Sequence, residues 1–163
     1  MLEITESITI NADVNVIWVF ITDFSKSLSY NRFHSSLELP SNYSVGKMKK
    51  FTINHNFGFG NYKMVAEITE CIPPNRLCIS EYCKGAKGKG FPHSIQFLIE
   101  PHRYKSKIFY TVAGTYGGKV QDMSFKPILK GVMIEELLKI KNAIESSETI
   151  PKPNITPETI KPI

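Results

Sequence analysis

Between Lys49 and Ala113 the chain repeats one pattern, in which a short stretch of alternating apolar and polar residues is followed by a cluster of turn residues. Alternation with a period of two is typical of a β-strand with one buried face. Gly, Pro and Asn in the breaks are the residues that turns prefer. Together with a short stretch before Pro40, the pattern predicts six strands joined by short turns: residues 37–39, 49–57, 62–70, 77–83, 91–100 and 106–113.

The segments on either side of this meander predict one more strand and three helices. Leu2–Ile10 carries apolar residues at even positions and predicts a first strand. Asp13 offers an N-cap for a first helix, and a second short helix follows over residues 25–33. From residue 120 apolar residues recur every three or four positions, which predicts a long helix that ends near residues 145–148. Pro127 is expected to kink this helix or to mark its start.

A sheet with one apolar face needs a cover, and only the last helix is long enough to provide it. We therefore expect an α+β fold in which a curved seven-stranded antiparallel sheet wraps around a long C-terminal helix. Two short helices would lie between strands 1 and 2. Residues 1–147 would form this one domain, and residues 148–163, with four of the ten prolines, would form an extended or disordered tail.

Several short motifs follow one another over residues 1–147: Ser7–Ala12, Val16-Ile17-Trp18 with Thr22-Asp23, Tyr30, Phe33, Val45-Gly46-Lys47, Ile72–Leu77, Phe97–Pro101 with Ile108 and Tyr110, Pro127-Ile128-Leu129 and Leu137-Leu138-Lys139. In this order and spacing they resemble the START/Bet v 1-like helix-grip superfamily (SRPBCC), in its polyketide cyclase/dehydrase-like branch. Phe33 replaces a common Trp, and residues 103–107 replace a usual Gly-Thr. The resemblance implies that a hydrophobic small molecule binds in an internal cavity.

One end of the predicted sheet is rich in glycine. Because successive antiparallel strands alternate in direction, every second connection lies at the same end, which groups residues 58–61, 84–90 and 114–121. These segments hold eight of the ten glycines, and they also hold four lysines: Lys84, Lys87, Lys89 and Lys119. We expect this end to be the flexible, basic mouth of a cavity that admits an apolar molecule with a polar or anionic head.

The alternation also predicts which side chains point inward. An aromatic and Met-rich wall suits adaptable apolar binding, although the same residues would equally make a filled core. The predicted ligand-binding residues are Tyr30, Phe33, Phe51, Ile53, His55, Phe57, Tyr62, Met64, Glu81, His93, Ile95, Phe97, Tyr110, Phe125, Leu129 and Met133.

One polar pair stands out among the inward-facing residues. If Cys83 lies opposite Phe91, the register places Glu81 opposite His93 near the mouth, with His55 nearby on the third strand. Such a pair could anchor a polar ligand group or act in acid–base chemistry, or it could be purely structural. Glu81 and His93 are therefore the weak catalytic candidates. His34 and His102 fall in segments predicted to be exposed, and no role follows for them.

Other function classes find little support. No nucleophile motif, dinucleotide fingerprint or metal-ligand spacing appears, so no cofactor and no metal is expected. Three cysteines without a C-x-x-C favour reduced thiols in a cytoplasmic protein, with no more than transient contact to a membrane surface. A net charge of +5 without a groove-reading element argues against nucleic acid. The sequence does not set the oligomeric state.

Three functions remain. The first is a carrier of a lipid, quinone or polyketide-like ring. The second is a polyketide cyclase or dehydratase that would use Glu81, His93, His55 and Tyr110. The third is a module that binds a protein partner. The first two need a cavity of several hundred cubic ångströms, as is typical of ligand sites, whereas a packed interior with an exposed apolar patch would favour the third.

Overall fold

The computed structural model describes residues 1–58, 60–85 and 89–147. Its helices are α1 (Val14–Thr22), α2 (Phe24–Ser27) and α3 (Lys119–Ser146), and a 3-10 turn, Leu28–Tyr30, follows α2. Its strands are β1 (Leu2–Ile10), β2 (His34–Glu38), β3 (Lys50–Asn56), β4 (Asn61–Ile72), β5 (Arg76–Tyr82), β6 (His93–His102) and β7 (Lys105–Gly114). The predicted tail, residues 148–163, lies outside the described residues.

The seven strands form one antiparallel sheet in the order β1-β7-β6-β5-β4-β3-β2. Strands β2 to β7 are neighbours in chain order, as a meander requires, and β1 pairs with β7 from Leu2 opposite Gly114 to Ile10 opposite Ser106. The strongly curved sheet wraps around α3, while α1 and α2 lie between β1 and β2 in the chain. The predicted α+β helix-grip fold is therefore confirmed.

Helix α3 buries one face against the concave side of the sheet. Its buried apolar residues recur every three or four positions, as one face of an amphipathic helix does: Phe125, Leu129, Val132, Met133, Leu137, Ile140 and Ile144. The sheet supplies alternate residues from each strand, such as Ile53, Met64 and Ile79, which are fully buried. The helix and the sheet thus share one hydrophobic core.

The start of α3 differs from the prediction for Pro127. The helix begins at Lys119, eight residues earlier, so Pro127 lies inside it and does not mark its start. Pro127 is on the exposed face, where water can satisfy the carbonyl that loses its partner. Val120 and Met123, which the periodicity placed with the core, lie on the exposed side.

None of the described helices combines the length and the apolar character that crossing a bilayer would need. The glycine-rich connections β3–β4, β5–β6 and β7–α3 do lie at one end of the sheet, because the strands that precede them run in the same direction. Aromatic residues of all three connections meet there: Phe57 lies 6.5 Å from Phe91 and 6.0 Å from Tyr116, measured between ring centroids.

Candidate functional site

A buried polar cluster lies on the concave face of the sheet near the glycine-rich end. Glu81 is opposite His93 in the β5–β6 register, as the sequence predicted. The Glu81 carboxylate accepts a hydrogen bond of 2.7 Å from His55 Nε2 and lies 3.7 Å from His93 Nε2. The side chains of Glu81 and His55 are almost completely buried. His55, predicted only to lie nearby, is thus the closest partner of Glu81.

His34 also belongs to this cluster, which corrects the prediction that it lies in an exposed segment without a role. Its ring packs edge-on against His55, with 4.7 Å between the ring centroids. Its Nδ1 donates a hydrogen bond of 2.7 Å to the carbonyl of Leu28. The sequence pattern missed His34 because the partner carbonyl belongs to the 3-10 turn, which only the folded chain brings against the start of β2. His102 is exposed, as expected.

The cluster holds one ionised carboxylate among histidines that prefer to be neutral. Burial alone would raise the pKa of Glu81, but the positive charge available on His93 and the hydrogen bond from His55 outweigh it and lower the pKa to about 2. Burial lowers the pKa of His34 to about 4 and also lowers the pKa of His93. A buried carboxylate needs a positive charge close to it, from a proton on a histidine or from a bound cation.

A second buried polar group faces the first from α3. Glu136 Oε2 accepts hydrogen bonds from Asn31 Nδ2 at 3.0 Å and from the Tyr110 hydroxyl at 3.1 Å. Burial raises the pKa of Glu136 to about 8, although both hydrogen bonds act to lower it. At neutral pH Glu136 is therefore largely a neutral acid, whereas Glu81 is ionised.

The space between the two groups is small. Its volume is about 10 Å³, which is room for roughly one water molecule. The predicted hollow interior of several hundred cubic ångströms is therefore wrong for this conformation, because side chains from the sheet and α3 fill the gap. The residues around this central void are Asn31, Phe33, His34, His55, Phe57, Phe91, His93, Ile95, Tyr110, Val112 and Leu129.

The predicted wall thus divides into two sets. Seven of its residues line the central void: Phe33, His55, Phe57, His93, Ile95, Tyr110 and Leu129. Glu81 does not line the void itself, but it is hydrogen-bonded to His55, which does. The others are packed elsewhere in or around the core: Tyr30, Phe51, Ile53, Tyr62, Met64, Phe97, Phe125 and Met133. Asn31, His34, Phe91 and Val112 line the void but were not predicted, since only the bend of the sheet brings them to it.

An aromatic cluster separates the central void from solvent at the glycine-rich end. Phe125 on α3 lies 3.9 Å from Tyr116 and 5.8 Å from Phe33, between ring centroids, and Tyr116 stacks on Phe91 at 4.2 Å. We call Phe33, Phe57, Phe91, Tyr116 and Phe125 the aromatic plug. Outside it lies an apolar surface groove of about 340 Å³, lined by Tyr116, Gln121, Ser124, Phe125 and Ile128. Tyr116 and Phe125 belong to both.

The basic mouth predicted from the sequence is present in part. Lys84, Lys89 and Lys119 are exposed on the glycine-rich connections, whereas Lys87 lies outside the described residues. Larger grooves, of about 520 and 460 Å³, lie near β2 at the edge of the sheet. The first is lined by Lys50, Tyr82 and Lys84 among others, and by none of the residues of the polar cluster. The second is lined in part by His34, so this histidine borders both the surface and the central void.

Three residues of the cluster could hold a metal ion, although the sequence shows no metal-ligand spacing. One donor atom each from His34, His55 and Glu81 lies within 4.8 Å of the other two. These residues come from three strands and have no motif spacing, so a search for short ligand motifs cannot find them.

Helix α3 also presents an apolar stripe to solvent. Val120, Met123, Ile134 and Leu138 lie on one side of it, and each is at least two-fifths exposed. A packed interior together with an exposed apolar stripe is what we expected of a module that binds a protein partner. Binding of a protein partner therefore stays a prediction.

No family model and no curated protein matches the chain in sequence. Solved structures do match its fold. A conserved protein of Geobacillus kaustophilus is 19% identical with a TM-score of 0.71, over 90% of this chain and 97% of that one. A hypothetical protein of Helicobacter pylori is 13% identical with a TM-score of 0.69, over 86% of both chains. DynU16, a putative protein in the dynemicin biosynthetic locus, is 14% identical with a TM-score of 0.63, over 88% of this chain and 47% of that one.

Proposed function

We propose that the protein binds a small, mainly apolar molecule that carries a hydrogen-bond donor, such as a hydroxyl or an amino group, in the interior of its helix-grip fold. One observation carries the proposal. His55 Nδ1 and Glu81 Oε1 are buried and have no hydrogen-bond partner among the described residues. Buried polar atoms are nearly always paired, so an atom without a partner calls for a ligand or a water.

The chemistry of these two atoms defines the polar part of the ligand. His55 Nε2 donates to Glu81 Oε2, so His55 Nδ1 is the ring nitrogen left for a ligand, and Glu81 Oε1 is an acceptor. A ligand hydroxyl or amine would satisfy either atom. An anionic head would be repelled by Glu81, so an acidic group fits better outside, beside Lys84, Lys89 and Lys119.

The apolar part of the ligand would replace the aromatic plug. The central void holds about one water, so binding requires Phe125 and Tyr116 to move outward and join it to the 340 Å³ groove. Two neighbouring glycines, Gly117 and Gly118, precede α3, and Gly117 has a φ of 103°, which glycine adopts without strain. The START/Bet v 1-like resemblance supports binding at this position, between the long helix and the sheet.

A pair of matched probes tests the proposal on the full chain. 2-Naphthol has an apolar ring system with a hydroxyl donor, and 2-methoxynaphthalene has the same rings without the donor. We expect saturable one-to-one binding of 2-naphthol, about tenfold tighter than that of 2-methoxynaphthalene, as for a hydrogen bond to a charged acceptor. Fluorescence titration measures both affinities.

Two variants on α3 test where the probe binds. Phe125→Ala removes part of the plug and should raise the affinity for 2-naphthol several-fold. Leu137→Ala removes a side chain that is equally buried but lies three turns away, and it should leave the affinity unchanged. Equal binding of the two probes, no binding of either, or equal effects of the two variants would overturn the proposal. Near-UV circular dichroism checks that both variants keep fixed tertiary packing.

A second candidate function is acid–base catalysis on the bound molecule. It is favoured because Glu81 is ionised at neutral pH whereas Glu136 is largely protonated. Ionised Glu81 would stabilise positive charge that develops on the bound molecule, and neutral Glu136, with a pKa of about 8, would be the proton donor. A cyclase or dehydratase would use such a pair. Glu81→Gln should then retain 2-naphthol affinity within about tenfold and abolish turnover, whereas in a carrier there is no turnover to lose.

A further inference from the structure

The nitrogen atoms of the polar cluster are oriented as they are around metal ions. His34 Nδ1 donates to the Leu28 carbonyl at 2.7 Å, and His93 Nδ1 donates to the Phe91 carbonyl at 2.6 Å. A carbonyl oxygen only accepts, so each Nδ1 carries a proton. In the neutral ring Nε2 then bears a lone pair. A second partner that fixes the tautomer in this way is typical of histidines that ligate metals.

The cluster leaves two buried polar atoms unpaired. His55 Nε2 faces Glu81 Oε2 at 2.7 Å, which leaves Glu81 Oε1 and His55 Nδ1 without partners among the described residues. His93 Nε2 lies 3.7 Å from Glu81 Oε2, which is too far for a hydrogen bond. A cation beside the carboxylate would supply the positive charge that a buried carboxylate needs.

We propose that His34, His55 and Glu81 form a binding site for a divalent transition-metal ion of the Zn²⁺ or Fe²⁺ class. Two imidazoles and one carboxylate match the ligand preference of these ions, whereas Mg²⁺ and Ca²⁺ prefer oxygen ligands alone. The three donor atoms lie within 4.8 Å of one another. His93 Nε2 lies 3.7 Å from Glu81 Oε2 and is not one of the three proposed ligands.

The ion has a route into the site. His34 lines both the surface groove of about 460 Å³ near β2 and the central void. Its ring is partly exposed, while His55 and Glu81 behind it are fully enclosed. An ion arriving from solvent would thus meet His34 first. The site does not depend on a small molecule in the interior.

Metal binding is tested on the full chain without an affinity tag, since a polyhistidine tag would bind metal itself. The protein is treated with EDTA, freed of chelator and titrated with Zn²⁺ and with Co²⁺. We expect one equivalent of each to bind and Co²⁺ to develop the intense visible absorption of a site with fewer than six ligands. Zn²⁺ should raise the melting temperature, because it binds the folded chain, and Mg²⁺ should not.

Two single substitutions locate the ion. His34→Gln removes the imidazole ligand and its hydrogen bond to the Leu28 carbonyl from a half-buried position, and near-UV circular dichroism checks that the fold persists. It should weaken Zn²⁺ affinity at least about tenfold. His102→Gln changes an exposed histidine outside the cluster and should leave the affinity unchanged.

Absence of stoichiometric binding, or equal affinity in the two variants, would overturn the metal site. If His34→Gln fails to fold, the melting temperature of the unsubstituted protein still tests the proposal, because the absence of a rise with Zn²⁺ would overturn it. These readouts do not involve 2-naphthol, so failure of the metal site and failure of small-molecule binding are distinguishable.

Discussion

Glu81 on β5 and His55 on β3 are joined by a hydrogen bond of 2.7 Å, although β4 runs between their strands. The residue of β4 that pairs with Glu81 is Ala66. The residue of β4 that pairs with His55 is Tyr62, four positions away. The two polar side chains therefore meet diagonally across β4, on the concave face of the sheet.

Loss of the Glu81 carboxylate should be costly. Glu81→Ala leaves His55 and His93 buried without their acceptor, and breaking a buried pair in this way costs about 3–5 kcal/mol. We expect a loss of that order in the free energy of unfolding, measured by urea denaturation. The control Glu38→Ala removes an exposed ion pair with Lys63 and should change stability little. Equal losses of unfolding free energy in the two variants would show that the stability contributed by an ion pair does not depend on its burial.

Gly114 should not tolerate a side chain. A Cβ at this position would lie 2.6 Å from the carbonyl oxygen of Pro92 and from His93 Cβ. Because neither can move freely, Gly114→Ala should cost about 1–3 kcal/mol of unfolding free energy. Gly131→Ala is the matched control: nothing lies within 4 Å of its Cβ, and alanine in a helix should stabilise by about 0.5–1 kcal/mol. A stable Gly114→Ala protein would mean that β7 and β6 can separate at this end.

The contribution of Glu136 to stability should fall as the pH rises from 4.5 to 8, whereas His34 and His93, whose pKa values are lowered by burial, contribute in the opposite direction below pH 6.5. The folded pKa of about 8 exceeds the ordinary value of 4.5, so the folded state holds the proton more tightly than the unfolded state does. The contribution of Glu136 is therefore complete below pH 4.5 and is lost by pH 8. Its slope is at most about 1.4 kcal/mol per pH unit.

Glu136→Gln should abolish this slope, because its amide does not titrate. Glu135→Gln, one residue earlier and partly exposed beside Lys139, should keep it. Urea denaturation at several pH values between about 5 and 8 gives the slopes. A slope in Glu136→Gln equal to that of the unsubstituted protein would assign the pH dependence to other groups.

Asp122 should control the mobility of the β7–α3 connection. Its carboxylate accepts hydrogen bonds from the Tyr116 backbone amide at 2.7 Å and from the Thr115 hydroxyl at 3.1 Å. Asp122→Ala should therefore speed hydrogen exchange at the amide of Tyr116, which belongs to the aromatic plug. Asp13→Ala removes a similar bond to the Asn15 amide and should speed exchange there without affecting Tyr116. Unchanged exchange at Tyr116 in Asp122→Ala would refute this role.

Local patterns determined the fold. Three patterns depend only on residues that are close in the chain: the alternation on β3 and β4, the clusters of turn residues, and the helical period after residue 119. An alternating stretch buries its apolar face as a strand, and a stretch with helical period buries it as a helix. The antiparallel order of the strands could be predicted as well, because a short turn leaves a strand little choice but to pair with the strand before it. The condition that Cys83 lies opposite Phe91 gave the register in which Glu81 is opposite His93, and the structure has this register. Of the two expectations for Pro127, the helix start is wrong, because the helix already begins at Lys119.

The volume of the interior and the composition of its polar cluster were decided by the tertiary structure alone. Alternation shows which side chains point inward, but it cannot show whether they meet, because that depends on how far the sheet bends around α3. The bend closes the central void to about 10 Å³ and brings His34 against His55. A pocket or a metal site is a relation in three dimensions between residues far apart in the chain, and short-range periodicity carries no information about such distances.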